Sequence, residues 1–512
     1  MRAIHSLTML LTFSLSATVL AQQPIVATPT TALVRFKSDV SAKQVEDFKA
    51  QYGATSSVPV GSDGSYKLVF PKLGVEELAD KLQSDPRLNL YRTVKGDYRE
   101  IFQDVQTQGA DLPSGLQDKI AKLRKAAGDP KNVRLVALKS GEFSLNILRN
   151  GLGADAGFID QGSLKLNIIP GMDVTAVRNR VSSDGTGSYR WSGTLSAKQS
   201  SVAGADVLSP QKTGTATLTI SEGEIIGRIS VGRDVYTITP LENGYHAITR
   251  VDQSKLPPEH PSSYSPATGV LAPISLLPSA SSPMGDAPSN LVHVAVAISK
   301  SVADTLVVSP ARYASSLVDT VNSAFENSGV DGRLAFSGAR VFDYSEVSFD
   351  TDIEKFIKHE AAPFSEIAIW RKQAHAEVLV VITSLRDYCG LAGAILANFD
   401  TAVALVSGDC ALSNLSFAHE VGHLFGARHN PEEDSSALPF AWGHGRLFSE
   451  YRTIMAYPGA SCASPCPRIP WYGGPEVIYQ GAPLGNATLY NEARVIRDTF
   501  SQIAHLVPAA TQ

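Results

Sequence analysis

From Thr31 to Val94 the chain switches between apolar alternation of period two and helix-spaced apolar positions. The runs Ala32 to Phe36, Ser56 to Val60, Tyr66 to Phe70 and Asn89 to Thr93 predict strands. Between them, Ser41 to Tyr52 opens on a serine suited to cap a helix, and Gly74 to Gln83 spaces Val75, Leu78 and Leu82 along one helical face. Leu116 to Ala127 predicts a further helix. Residues 134 to 250 then read as short strands such as TATLTI, IIGRISV, VYTITPL and YHAITRV, separated by Asp-Gly, Glu-Asn-Gly and Ser-Gly turn signals. Leu256 to Asn290 loses all periodicity and fills with Pro, Ser and Gly, the texture of an exposed linker open to proteolysis. Past it come a buried strand, LVHVAVAI, a helix over Pro310 to Asn327, a strand in RLAFSGARVFDY, one or two helices over Asp352 to Ala374, and the apolar strand AEVLVVIT.

These successions predict four segments after the first 21 residues: a module over 22–96, a β-rich region over 97–256, a Pro/Ser-rich linker over 257–289 and an α/β domain with a mixed sheet over 290–512. The first has the strand-helix-strand-strand-helix-strand order of a ferredoxin-like fold. That order, with LVRFK and YKLVF, also resembles the inhibitory pro-domains of subtilisin-type proteases over about 65 residues. The resemblance implies an intramolecular inhibitor.

A chain of 512 residues has room for about three domains with cores of their own. Its 40 Gly and 29 Pro follow no repeat, which excludes a collagen-like or low-complexity chain, and a net charge of −5 argues against a nucleic-acid partner. From Leu291 onward 15 Lys and Arg face 23 Asp and Glu, whereas the residues before carry a small positive excess, a mild complementarity that favours docking of the two parts. Residues 1–21 combine Arg2, an apolar stretch from Leu7 to Leu20 and the small-residue end Val19-Leu20-Ala21, which predicts a cleaved signal peptide and a secreted protein. No later segment reaches the 18 or so uncharged residues of a membrane span, so no membrane anchor is expected. Four cysteines behind an export signal predict two disulfides. Three pairings are possible; Cys389 with Cys410 and Cys462 with Cys466 close the short loops and are preferred.

The segment that carries chemistry is SFAHEVGHLFGARHN, residues 416 to 430. His419 and His423 stand four apart, so a helix puts both imidazoles on one face, where they can hold one cation. Glu420 follows the first ligand, placed to reach a water on the metal rather than the metal itself. Gly426 can take the left-handed conformation that ends the helix and returns His429 as a third ligand. Three protein ligands leave an open fourth position, the mark of a catalytic Zn²⁺ site. The other histidines quoted from the pattern, His293, His359, His375, His444 and His505, lack such spacing and read as ordinary surface or core residues.

The pattern His-Glu-x-x-His-x-x-Gly-x-x-His, with Met455 in RTIMAYP 26 residues after His429, resembles the metzincin metalloproteases and their methionine turn. Beyond it, VNSAFENSGV, DYCGLAGA and GGPEVIYQGAPLGNATLYNEARVI are similar to the bacterial reprolysin-like enzymes, including the peptidyl-Asp metalloendopeptidase group, over nearly all of residues 291 to 505. The resemblance implies a metzincin-type catalytic domain, zinc on His419, His423 and His429, Glu420 as general base, and a pro-region that keeps the enzyme latent. It also implies that protein or peptide substrates add as a strand to a sheet edge, for which Gly390, Leu391, Ala392 and Gly393 are the candidates, with Tyr472 as a candidate wall of the specificity pocket. Three features depart from the family. Asn430 stands where reprolysins usually have Asp, and no cysteine precedes Cys389, so latency cannot use a pro-region thiol. Gly285-Asp286 is a faint counterpart of the aspartate switch of astacins. Tyr457 gives a Met-x-Tyr arrangement that reprolysins lack and that astacins and serralysins have, where the tyrosine lies near the zinc and stabilises the oxyanion.

Two functions follow. The first is a secreted zinc endopeptidase made as a latent preproenzyme, and the second a catalytically inactive secreted binding protein on a protease fold. Such inactive relatives typically lose the glutamate or a histidine, and here all four residues are intact.

Overall fold

Ser41 accepts the Gln44 N–H, and the Gln44 side chain accepts the Ser41 N–H in return, a reciprocal cap that starts α1 (Ala42–Tyr52). This detail comes from a computed structural model that describes residues 30–59, 65–95, 100–105, 112–139, 163–183, 188–199, 212–259, 290–462 and 464–506. The expected signal peptide, most of the linker and Gly285-Asp286 lie outside the described residues. The chain divides into two units, one of Met1–Pro59 with Tyr66–Gly96 and the other of Val60–Ser65 with Asp97–Gln512.

In the first unit α1 lies in the order β1 (Thr30–Phe36), α1, β2 (Ser56–Pro59), β3 (Ser65–Phe70), α2 (Val75–Gln83), β4 (Leu88–Lys95). The sheet order is β2-β3-β1-β4, with antiparallel β1/β4 and β2/β3 pairs. Phe48 of α1 and Leu78 and Leu82 of α2 pack on Val34, Phe36, Leu68 and Phe70 of the sheet.

The second unit opens with β5 (Phe102–Asp104), α3 (Ser114–Ala127) and β6 (Val133–Leu138). It continues as a meander of β7 (Ser163–Lys165), β8 (Met172–Ser183), β9 (Tyr189–Gln199), β10 (Lys212–Ser221), β11 (Glu224–Val231), β12 (Asp234–Glu242) and β13 (Tyr245–Arg250). These strands form one sheet in the order β5-β6-β13-β12-β11-β10-β9-β8-β7. Next come β14 (Leu291–Ser299), α4 (Lys300–Ala303), α5 (Pro310–Asn327), β15 (Arg333–Phe342), α6 (Phe349–Lys358), α7 (Phe364–Gln373), β16 (Val378–Thr383), β17 (Gly390–Ala392) and β18 (Val403–Ser407). Their sheet runs β15-β14-β16-β18-β17, parallel throughout except for β17, which pairs antiparallel with β18 at the edge. Apolar clusters cover both faces, which is why β14 and β16 read as continuous apolar runs instead of alternating ones. α8 (Ser416–Leu424) and α9 (Glu492–Ala504) pack in the larger cluster.

The β-rich sheet and the α/β region share a core rather than being strung apart. Ile226 of β11 belongs to the same apolar cluster as Leu317 and Val321 of α5. Arg190 of β9, nearly buried, lies 3.3 Å from Asp319 and 2.8 Å from Glu326, and Arg312 lies 2.5 Å from Glu224. The linker also begins differently from its expected exposed character: Pro257 is buried, and the Cys389 N–H donates to Pro258 O at 2.7 Å. No helix among the described residues is long and apolar enough to cross a membrane.

Candidate metal centre

α8 carries His419 and His423 one turn apart, both buried, with Glu420 between them. The helix stops after Leu424, and Gly426 at φ 103 supplies a backbone that a β-carbon would strain, turning the chain so that His429 comes back beside the helix. Leu396 and Ala397 donate backbone hydrogen bonds to His423 O and Leu424 O, fixing the helix end to the segment that follows β17.

The three Nε2 atoms converge. His423 Nε2 lies 2.8 Å from His429 Nε2, and His419 Nε2 lies 3.2 Å from each of the others. His419 Nδ1 meets Ile454 O at 2.8 Å and His423 Nδ1 meets Ala427 O at 2.9 Å; a carbonyl can only accept, so both rings carry hydrogen on Nδ1 and point a lone pair inward. Burial holds His423 down at about 4 and His419 well below its ordinary range, so neither is charged near neutral pH. With His429 Nε2 facing the inward lone pairs of His419 and His423, the three rings make a cluster that can hold a metal ion. Glu420 accepts the Ala392 N–H of the edge strand; burial pushes its carboxyl up to about 8, with nearby Arg468 pulling against that and Glu259 adding to it.

Comparison with known proteins gives the same answer. The family model of reprolysin-like M12B metallo-peptidases matches residues 311–430. A peptidyl-Asp metalloendopeptidase of Xanthomonas campestris pv. campestris is 31% identical over 364 residues, spanning 68% of this chain and 84% of that protein. One from Stenotrophomonas maltophilia is 31% identical over 370 residues with the same coverage, and one from Pseudomonas fragi is 34% identical over 134 residues, 26% of this chain and 88% of that protein. The chain belongs to the reprolysin-like M12B metallopeptidases. It is a metalloendopeptidase.

The surroundings of the cluster position it. Met455 is fully buried in the main core, and its N–H donates to Glu492 Oε1 at 3.1 Å. Thr453 Oγ1 at 3.0 Å and the Gly473 N–H also bond the Glu492 carboxyl, so one buried glutamate of α9 holds the turn from three sides. Asn430 Oδ1 accepts the Tyr457 N–H at 2.8 Å, tying the residue after the third histidine to the same turn. His444 is buried, and its Nδ1 meets His429 O at 2.7 Å. The Tyr457 hydroxyl stands 3.2 Å from His419 Nε2, with its ring centre 4.1 Å from that of His429.

Other expected residues divide. Cys389 pairs with Cys410 and Cys462 with Cys466, as the short loops favour. Gly390, Leu391 and Ala392 form the terminal strand β17, and the Gly393 N–H donates to Val403 O. Tyr472 is not a pocket wall: it has no exposed surface, and its hydroxyl donates to Ala418 O at 2.7 Å from within the core. The sequence pattern reads His444 as an ordinary surface or core residue and does not single out Glu492, Arg452 or Arg468. The signal available for the last two was position, two arginines bounding the uncharged stretch from Thr453 to Pro467 that holds the methionine turn.

Proposed function

We propose that this metallopeptidase works as a secreted zinc endopeptidase, synthesised with a signal peptide over 1–21 and a pro-region over 22–256 that keeps it latent. The observation that carries the reading is the convergence of three histidine Nε2 atoms, two of them from α8, beside Glu420, whose carboxyl accepts a hydrogen bond from edge strand β17. Three imidazoles suit Zn²⁺, with His419, His423 and His429 as its ligands. Bound there, zinc supplies Lewis acidity that brings the pKa of a water towards about 7 and draws charge from a peptide carbonyl.

The chain's own groups do the rest. The carbonyl partners of the two Nδ1 atoms fix the rings. With a cation on the histidines and Arg468 holding its carboxyl ionised, Glu420 would take the proton of the attacking water and return it to the leaving amine. The Tyr457 hydroxyl donates to the carbonyl oxygen as charge grows on it. An extended peptide adds along Gly390 to Gly393, where the sheet ends in β17. The name of the relatives, peptidyl-Asp metalloendopeptidase, extends to this chain as a preference for bonds next to aspartate. In the pro-region, the β2-β3-β1-β4 order of the first unit supports a ferredoxin-like module.

The purified protein is expected to hold about one zinc per chain, to lose casein hydrolysis on chelation and to regain it with zinc. Hydrolysis that survives complete removal of metal would contradict the reading. Residues 22 to roughly 285, Glu259 among them, are expected to be missing from the active secreted product, with the cut inside the Leu256 to Asn290 segment; an active product that still begins at Gln22 would make the preceding modules substrate-binding domains instead.

A further inference from the structure

Arg452 and Arg468 flank the methionine turn and are 2% and 1% exposed. A buried guanidinium needs a counter-charge, and among the described residues the ion pairs of both run to one carboxylate, Glu259. Arg452 Nη1 lies 3.0 Å from Glu259 Oε2, Arg468 Nη2 lies 2.5 Å from the same oxygen, and Arg452 Nη2 bonds Oε1. Asn414 Nδ2 donates to Oε1 at 3.2 Å. None of these partners comes from the segment that contains Glu259, which ends the run Leu256-Pro257-Pro258-Glu259 after the β-rich sheet.

The location gives the contact its meaning. The Arg468 guanidinium carbon sits 5.6 Å from the centre of the Tyr457 ring, whose hydroxyl reaches the histidine cluster. Its Nη1 reaches Ser416 Oγ at 3.5 Å, one helical turn before Glu420. The backbone of the same segment is hydrogen-bonded to Cys389, the residue that leads into edge strand β17. Arg228 of β11, buried and donating to Ser413 O at 2.8 Å, adds to the local positive field. Glu259 thus enters a cationic recess near the metal site, with the backbone of the preceding residue held by Cys389 just before the edge strand.

Building on the zinc-peptidase reading, we propose that Arg452 and Arg468 form the subsite that reads an acidic side chain next to the scissile bond, and that Glu259 fills this subsite in the full-length chain as a substrate-like plug. Departure of the pro-segment strips two buried cations of the one carboxylate that, among the described residues, forms ion pairs with both. An aspartate side chain of the substrate restores the pairing, and an asparagine leaves the cations uncompensated, so discrimination comes from the enzyme's own unpaired charge. The plug also accounts for latency in a chain with no cysteine before Cys389, because the inhibitor's grip is on the arginines.

The test uses enzyme prepared from the full chain, with two peptides that differ only by Asp or Asn beside the cleaved bond. The native enzyme is expected to favour Asp by at least about 10²-fold in kcat/KM, and Arg468→Gln to bring that ratio below about tenfold. Arg452→Gln serves as an independent variant, with zinc content and circular dichroism as controls for folding. In parallel, the peptide Leu-Pro-Pro-Glu-His-Pro is expected to inhibit at least about tenfold more strongly than its Gln counterpart, a comparison that needs no variant enzyme. An unchanged Asp-to-Asn ratio in the folded arginine variants overturns the subsite, and equal inhibition by the two peptides overturns the plug. Absence of any hydrolysis by the zinc-loaded native enzyme rejects the peptidase reading itself, and this inference with it.

Discussion

Tyr457 places a hydroxyl 3.2 Å from His419 Nε2, inside a site otherwise made of imidazoles and one carboxylate. A tyrosine that only packs and a tyrosine that donates to the oxyanion differ in what Phe would cost. Loss of one oxyanion donor typically lowers kcat by about 10²–10³, whereas loss of a hydroxyl from a purely packing ring leaves catalysis nearly intact. Tyr457→Phe is expected to lower kcat at least about tenfold with KM and zinc content nearly unchanged, and steady-state kinetics on one peptide that show an unchanged kcat would assign Tyr457 to structure. At this scale the sequence was most informative where spacing encodes geometry. The separation of His419 and His423 by four residues maps directly onto one helix face. Partnerships across long separations carry no such signal: Asn430 to Tyr457, His444 to His429 and Glu492 to Met455 join residues 15 to 37 apart through the folded chain.

The elements that frame the site are the short helix α8 and the three-residue strand β17. Their contact is close enough that a β-carbon on Gly390 would fall 2.4 Å from Glu420 Oε1. Gly390→Ala is therefore expected to displace the carboxylate and lower kcat/KM at least about tenfold while the histidines keep their zinc, since misplacing a reacting group by about 1 Å can cost some 10²-fold. Retained full activity, measured alongside zinc content, would show that the carboxylate has slack. The apolar strands β14, β16 and β18 are legible from sequence because burial on both faces demands continuous Val, Ile and Leu. β17 is harder to find: three residues rich in glycine and alanine give no alternation, and its edge position depends on antiparallel pairing to β18, which follows it in the chain.

Across the whole molecule, the β-rich sheet docks on α5 and sends the segment through Glu259 to the metal site. Composition shows only a mild charge asymmetry, and from it the placement of particular pairs such as Arg190 with Asp319 and Glu326 cannot be read, because each requires the tertiary fold to bring the groups together. Glu259 gives this docking a pH signature. Burial by itself would raise its carboxyl, but Arg452 and Arg468 outweigh burial and hold it at about 2, below the ordinary 4.5. A carboxyl depressed in the folded state contributes its stabilisation in full above the ordinary value and loses it as pH falls towards the folded one. Between about pH 5 and about pH 3, the full-length chain is expected to lose urea resistance more steeply than Glu259→Gln, with the two curves parallel above about pH 5; equally steep curves would remove Glu259 from the latch. The central claim is that Glu420 is the base of a zinc-dependent hydrolysis, and Glu420→Gln tests it most directly, because the change removes the base and leaves all three ligands. Zinc content and peptide hydrolysis measured on the same preparation are expected to show about one zinc per chain with activity down by at least about 10³-fold; a zinc-loaded Glu420→Gln protein with native activity would contradict the account.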